Sequence, residues 1–201
     1  LIRAMGLETN CQRPQPYNNN WTEQDVVAIT YGDTLKRDGQ RPLVTLRTFL
    51  EKYLSGVINA VHVLPFFPYS SDEGFSVIDY REVNQSLGNW GDIAAIASRF
   101  RLMSDLVINH CSSQSRWFEN YQQNLEPGAG YFMEADPEAD LSTVVRPRTS
   151  PLLRRTETAN GTRYVWCTFS HDQVDLNFRN PRLLIEVVSI IRFYIEHGVN
   201  I

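Results

Sequence analysis

Leu102 to His110 reads LMSDLVINH. The stretch sets an Asp inside an apolar, β-branched run and places an Asn and a His at its end. In a strand that only fills a core such groups would lack both water and partners, so the composition asks for a functional or positioning reason. Met103 to Ile108 is also the third of three short apolar runs, after Val26 to Thr30 (VVAIT) and Ala60 to Leu64 (AVHVL). The amphipathic stretch Leu43 to Tyr53 separates the first two. Between the second and third, Ile93, Ile96, Ala97 and Phe100 fall at helical spacing behind Asn89, a suitable N-cap. The order strand, helix, strand, helix, strand, with no clean alternation inside the strands, predicts a parallel sheet covered on its outer face.

The next unit breaks the rhythm. Asn180 and Pro181 form an N-cap and first helical position, and Leu184, Val187, Val188, Ile191 and Tyr194 carry an apolar face to a stop at Gly198. A fourth strand is expected from Val199. The first three strands lie roughly 35 to 45 residues apart, whereas the third and fourth are separated by about 90. The excess, Cys111 to Phe178, contains LEPGAG, the Pro/Arg segment RPRTSPLLRR and one expected strand, Arg163 to Phe169. An insertion that long is a small domain or a lid. The expected organisation is therefore an N-terminal segment at 1–25, the first part of the sheet domain at 26–110, the insertion at 111–178, and at 179–201 the third helix and the start of the fourth strand.

In parallel βα architectures the site lies at the carboxyl ends of the strands. Tyr31, the Phe66 to Ser76 loop, His110 and the insertion all fall at that end. Composition narrows the partners: a formal charge of -4 without a block of Lys or Arg argues against nucleic acid or an anionic membrane. No apolar run approaches the roughly 20 residues of a membrane helix, and the first residues lack the apolar core of a signal peptide. Cys11, Cys111 and Cys167 are odd in number and widely spaced, which suggests neither a disulfide framework nor a zinc site, and the expected setting is the reducing cytoplasm.

Several ordered segments carry a family resemblance. HVLPFFPYSSDEGFSVIDYREVNQSLGNWGD (62–92), DLVINH (105–110) and QVDLN (173–177) resemble the α-amylase superfamily, glycoside hydrolase family 13, whose first signature is an Asp-x-x-x-Asn-His strand end. ITYGDTL (29–35), PFFPYSSDEGF (65–75) and RPR (146–148) are similar to its sucrose phosphorylase branch. The resemblance covers residues 26–201. It implies an α/β fold, a (β/α)8 TIM barrel present here as about the first three and a half βα units, with a small B domain inserted after the third strand.

It further implies that Asp72 and His110 hold a glucosyl unit beside the scissile bond, through hydrogen bonds to sugar hydroxyls. Phe75 would be the aromatic platform under the pyranose, favouring positive charge that develops in an oxocarbenium-like transition state. Gln173, Phe169 and Arg148 would line the acceptor subsite, where an Arg suits an entering phosphate. Asp105 and Asn109 are expected to be structural at the site, and no metal is expected, although many amylases bind calcium through the residue matching Asn109. No cofactor is implied beyond inorganic phosphate as co-substrate. The expected partners are a small glucoside and phosphate, and the reading admits a homodimer.

Retaining chemistry needs a nucleophilic carboxylate and a second carboxyl acting as acid and then base. In this family both follow the fourth strand, the nucleophile in an Arg-x-Asp motif, and the sequence reaches Ile201 just before it. The chain is thus expected to be a piece of an enzyme without its own catalytic carboxyls. The leading expectation is a phosphorylase acting on sucrose or a similar small glucoside such as glucosylglycerate. The alternatives are a family 13 hydrolase or transglucosidase, and a non-catalytic sugar-binding remnant.

Overall fold

The computed structural model describes residues 1–8, 21–146 and 148–201. Cys11, Pro147 and part of the expected N-terminal segment at 1–25 lie outside them. The chain divides into two compact units, one of residues 1–66, 81–106 and 185–201, the other of residues 67–80 and 107–184.

The first unit holds a parallel sheet in the order β1 (Val27–Thr30), β2 (Ala60–Val63), β3 (Arg101–Ser104), with Val27 opposite Ala60 and Ala60 opposite Arg101. Parallel neighbours need a crossover, and each crossover here carries a helix. The first is α1 (Pro42–Phe49), continued by a π-helical turn at Leu50–Leu54, and the second is α2 (Trp90–Ala97). Ala60, Val61 and Val63 of the central strand are fully buried, as are Leu43 of α1 and Ile93 and Ile96 of α2. Burial of a Leu or Ile side chain contributes about 1.5–3 kcal/mol. After α4 (Pro181–Glu196) the chain returns beside β3: Val199 bridges Leu102 in parallel, and the amides of Asn200 and Ile201 donate to the Leu102 carbonyl. A single parallel bridge thus lies at Val199, where the start of a fourth strand was expected.

The third strand differs from its expected extent, Met103 to Ile108. It runs Arg101–Ser104 because β2 supplies ladder partners only as far as Val63, opposite Ser104. Asp105 instead turns its carboxylate to His62 Nε2 at 2.8 Å.

In the second unit, β4 (His110–Ser112) pairs antiparallel with β7 (Gln173–Asp175), and β5 (Leu153–Thr158) forms a hairpin with β6 (Gly161–Trp166). The sequence suggested one strand near 163–169; the hairpin has two. LRRTET of β5 is polar and only its Thr156 is buried, so it carries no apolar signal in the sequence. α3 (Arg116–Gln123) is also additional. Ser115 caps it by accepting from the Phe118 amide, and Phe118 and Tyr121 pack on Phe132 with ring centroids 5.0 and 5.2 Å apart. No helix among the described residues is long and apolar enough to cross a membrane.

α2 begins with a capping box. The Asn89 side chain accepts from the Gly91 and Asp92 amides, and the Asp92 carboxylate accepts from the Asn89 amide at 3.0 Å. Asn89→Ala is expected to cost about 1 kcal/mol, read as a lower urea midpoint at an unchanged denaturant slope.

Candidate functional site

The loop of residues 67–80 is closed by its own backbone. Ser70 N donates to Ser76 O at 3.1 Å, Ile78 N to Pro68 O at 2.8 Å, and Ser112 N of β4 donates to Val77 O at 2.8 Å. Its tip is strained: Asp72, Glu73 and Gly74 have φ of 56°, 52° and 108°. Asp tolerates the left-handed region through its short polar side chain; Glu does so at a cost of roughly 1–3 kcal/mol. Such conformations persist only where the surroundings impose them.

Here one carboxylate holds the loop on both sides of the tip. Asp172 Oδ2 accepts from Ser70 Oγ and Ser71 Oγ at 2.5 Å and from Ser76 Oγ at 2.8 Å, and Oδ1 accepts from Ser113 Oγ at 2.9 Å. The proton order is fixed by this arrangement. Ser70 spends its hydrogen on Asp172, so in the 2.5 Å contact between Ser70 and Ser112 it is Ser112 that donates. Burial raises the Asp172 pKa, but the hydrogen bonds from Ser70, Ser71, Ser76 and Ser113 outweigh it and hold the carboxyl below its ordinary range.

The residue after Asp172 completes the link. Gln173, 2% exposed, donates from Nε2 to Asp72 Oδ2 at 2.9 Å and accepts at Oε1 from Ser170 Oγ at 3.0 Å. His110, 5% exposed, lies beneath: Nε2 is 3.1 Å from both Phe75 O and Gln173 Nε2, and Nδ1 is 3.3 Å from Asn109 Nδ2. One tautomer serves both ring nitrogens. An imidazole protonated on Nε2 donates to the Phe75 carbonyl and accepts from the Asn109 amide at Nδ1, leaving Gln173 in contact with the ring without a hydrogen bond to it. The Phe169 ring lies on His110 with centroids 5.0 Å apart.

A cavity of about 480 Å³ opens on this cluster, lined by Ser71, Asp72, Arg148, Phe169, Ser170 and Gln173, with Thr149 and Ser150. Four of the residues singled out in the sequence, Asp72, Arg148, Phe169 and Gln173, thus face one space. His110 sits behind Gln173 and Phe169. Phe75 contributes its carbonyl to His110 and keeps a half-buried ring. Asn109 orients the imidazole, and its own carbonyl accepts from Leu176 N at 2.9 Å. Asp105 belongs to the other unit, paired with His62. No group of three or more metal-ligating side chains is found among the described residues. Cys111 and Cys167 are free and buried, and burial pushes both thiols up to about 12.

Sequence reasoning passed over Asp172 and Asp175. Asp175 faces His110 across the β4–β7 ladder and accepts from the Thr168 amide at 3.1 Å and from the Thr168 hydroxyl. The available signal was the pair of Ser-Ser dipeptides, Ser70-Ser71 and Ser112-Ser113. It was weak, because serines in such segments ordinarily read as turn residues.

Burial lowers the His110 pKa from its ordinary 6.5, against the opposing effects of the Phe75 carbonyl and of the Asp175 and Asp72 charges. The unfolded chain then binds a proton near pH 6.5 that the folded one refuses, so stability is full above that value and falls below it. Between about pH 7.5 and 5.5 the wild type is expected to lose more of its urea midpoint than His110→Gln, which has nothing to titrate there.

A family model described as "Alpha amylase, catalytic domain" matches residues 51–200. The chain is similar to the glucosylglycerate phosphorylase of Spirochaeta thermophila, 52% identical over 177 residues, which are 88% of this chain and 30% of that protein. It is 43% identical to the glucosylglycerate phosphorylase of Escherichia coli, over 92% of this chain and 33% of the relative. To the sucrose phosphorylase of Streptococcus mutans it is 32% identical, over 74% and 32%. Among solved structures, sucrose 6F-phosphate phosphorylase from Thermoanaerobacter thermosaccharolyticum matches with a TM-score of 0.80 at 28% identity, covering 90% of this chain and 39% of that one. The chain spans about a third of the length of the curated relatives it matches.

Proposed function

The chain belongs to the α-amylase family, with the fold of the N-terminal part of a (β/α)8 barrel, and from that premise we propose that the full-length protein is a retaining α-glucoside phosphorylase. It moves a glucosyl unit from a small glucoside to inorganic phosphate and gives glucose 1-phosphate. Glucosylglycerate is the favoured donor over sucrose, since the relatives named for it are the more similar.

The observation that carries the reading is the Asp72 carboxylate, held at a strained loop tip by Gln173 and facing a cavity that Arg148 also lines. Asp72 binds hydroxyls of the glucosyl ring, His110 supports Gln173 and Phe169 from behind, and Phe75 supplies the apolar face. Gln173, Phe169 and Arg148 form the acceptor side, where the guanidinium meets either the carboxylate of a departing glycerate or the arriving phosphate. Both are anions, so one cation serves departure and arrival. The two carboxyl groups that make and break the glucosyl-enzyme bond belong, in this proposal, to the remainder of the barrel. A cytoplasmic setting supplies the phosphate.

Full-length protein mixed with glucosylglycerate and phosphate is expected to release glucose 1-phosphate, and more slowly with sucrose. Glucose alone, or no product, would overturn phosphorolysis in favour of hydrolysis or of a non-catalytic sugar-binding protein. Loss of a charge-assisted hydrogen bond costs about 1.5–3 kcal/mol, so Asp72→Asn should lower kcat/KM for the glucoside by roughly 10- to 150-fold. Arg148→Ala should instead raise the KM for phosphate about tenfold and weaken turnover of anionic glucosylglycerate more than that of uncharged sucrose.

A further inference from the structure

We propose that Asp172 is a positioning residue for the glucoside site, acting through the serines it holds and through Asp72. The inference rests on the reading of Asp72 as a sugar ligand and assigns the group that keeps it in place.

The geometry is specific. Asp172 grips the loop on both sides of the strained tip: Ser70 and Ser71 precede Asp72, and Ser76 follows Gly74. Its second oxygen takes Ser113, and its backbone carbonyl accepts from Ser113 N at 2.7 Å, so the same residue fixes the segment just after β4. Through the peptide bond to Gln173 it also sets the amide that holds Asp72 Oδ2 at 2.9 Å. The tip of the loop therefore has two tethers, and both start from the dipeptide Asp172-Gln173. Four hydroxyls donate to the one carboxylate, and an amide in its place would offer a single acceptor oxygen and turn its N–H donors toward hydroxyls already committed as donors. Once the grip is lost, the strained tip keeps only the Gln173 amide and the loop's own backbone hydrogen bonds to oppose relaxation, and the Asp72 carboxylate is held less firmly at the cavity. None of this requires Asp172 to touch substrate, and the cavity lining does not include it.

The test is a double-mutant cycle in the full-length protein. Asp172→Asn is expected to lower kcat/KM for the glucoside at least tenfold, with a smaller effect on the KM for phosphate. In an Asp72→Asn background the same substitution should cost less than threefold, because the group it positions is already disabled. A role confined to global stability would give equal losses in both backgrounds and would overturn the proposal. Hydrogen exchange supplies a readout that does not depend on the reaction. The amides of Ser70, Phe75, Ser76 and Ile78, all bonded within the loop, should exchange faster in Asp172→Asn while those of β1, β2 and β3 do not change. Unchanged exchange in the loop would overturn the proposal even if activity fell. If the wild type proves not to act on glucosides, the function proposed above fails, and the exchange pattern still decides whether Asp172 holds the loop.

Discussion

A half-buried carboxylate that accepts from four hydroxyls cannot move without leaving several donors unpaired, and Asp172 is in that position. Each hydrogen bond to an ionised group contributes about 1.5–3 kcal/mol net. Each left-handed residue of the tip costs at most about 3. The comparison shows that the hydrogen bonds to the carboxylate suffice to offset the strain of the tip. Because the serines come from two segments, residues 70–76 and 112–113, the same interaction also fixes the loop against the strand that carries His110.

From that constraint the site is layered by burial. Ser76, Ser112, Gln173 and His110 are buried, Asp172, Ser70, Ser71 and Ser113 are half-buried, and Asp72 and Arg148 are exposed. Charge is kept where water or a full set of donors can stabilise it, and the enclosed imidazole stays neutral because burial penalises its cation. A neutral ring with Nε2–H on a backbone carbonyl has one defined orientation. That orientation in turn supports the faces of Gln173 and Phe169 that line the cavity.

What the sequence disclosed follows from which residues carry a local signal. The sheet of β1, β2 and β3 was legible because Val27–Thr30 and Ala60–Val63 are apolar without alternation and the helix between β2 and β3 announces itself with a capping residue. Asp72, Gln173, Arg148 and Phe169 were legible through a family pattern, and the fold gathers them on one cavity. The extent of β3 was not legible, since Leu106 to Ile108 looks as strand-like as Leu102 to Ser104 and only the length of β2 ends the ladder. β5 hid behind its charges. Asp172 hid behind its partners, because four serines on two segments mean nothing until the chain folds them around one carboxylate.

The distances along the chain explain why such a site can nevertheless be stable. Ser70 and Asp172 are 102 residues apart, Asp72 and Gln173 are 101 apart, and His110 and Gln173 are 63 apart. Loop-closure entropy grows only with the logarithm of length, so joining segments a hundred residues apart costs about 2 kcal/mol more than joining segments ten apart. One charge-assisted hydrogen bond covers that difference, and Asp172 makes four. An insertion can therefore lengthen between β4 and β7 at little thermodynamic cost, as long as its end still delivers Asp172 and Gln173 in register: Cys111 opposite Val174, and Ser112 opposite Gln173. The β4–β7 ladder is three residues long. A slip of one residue would turn Gln173 away from Asp72 and Asp172 away from its serines together, so the register of this short ladder and the integrity of the site are the same condition.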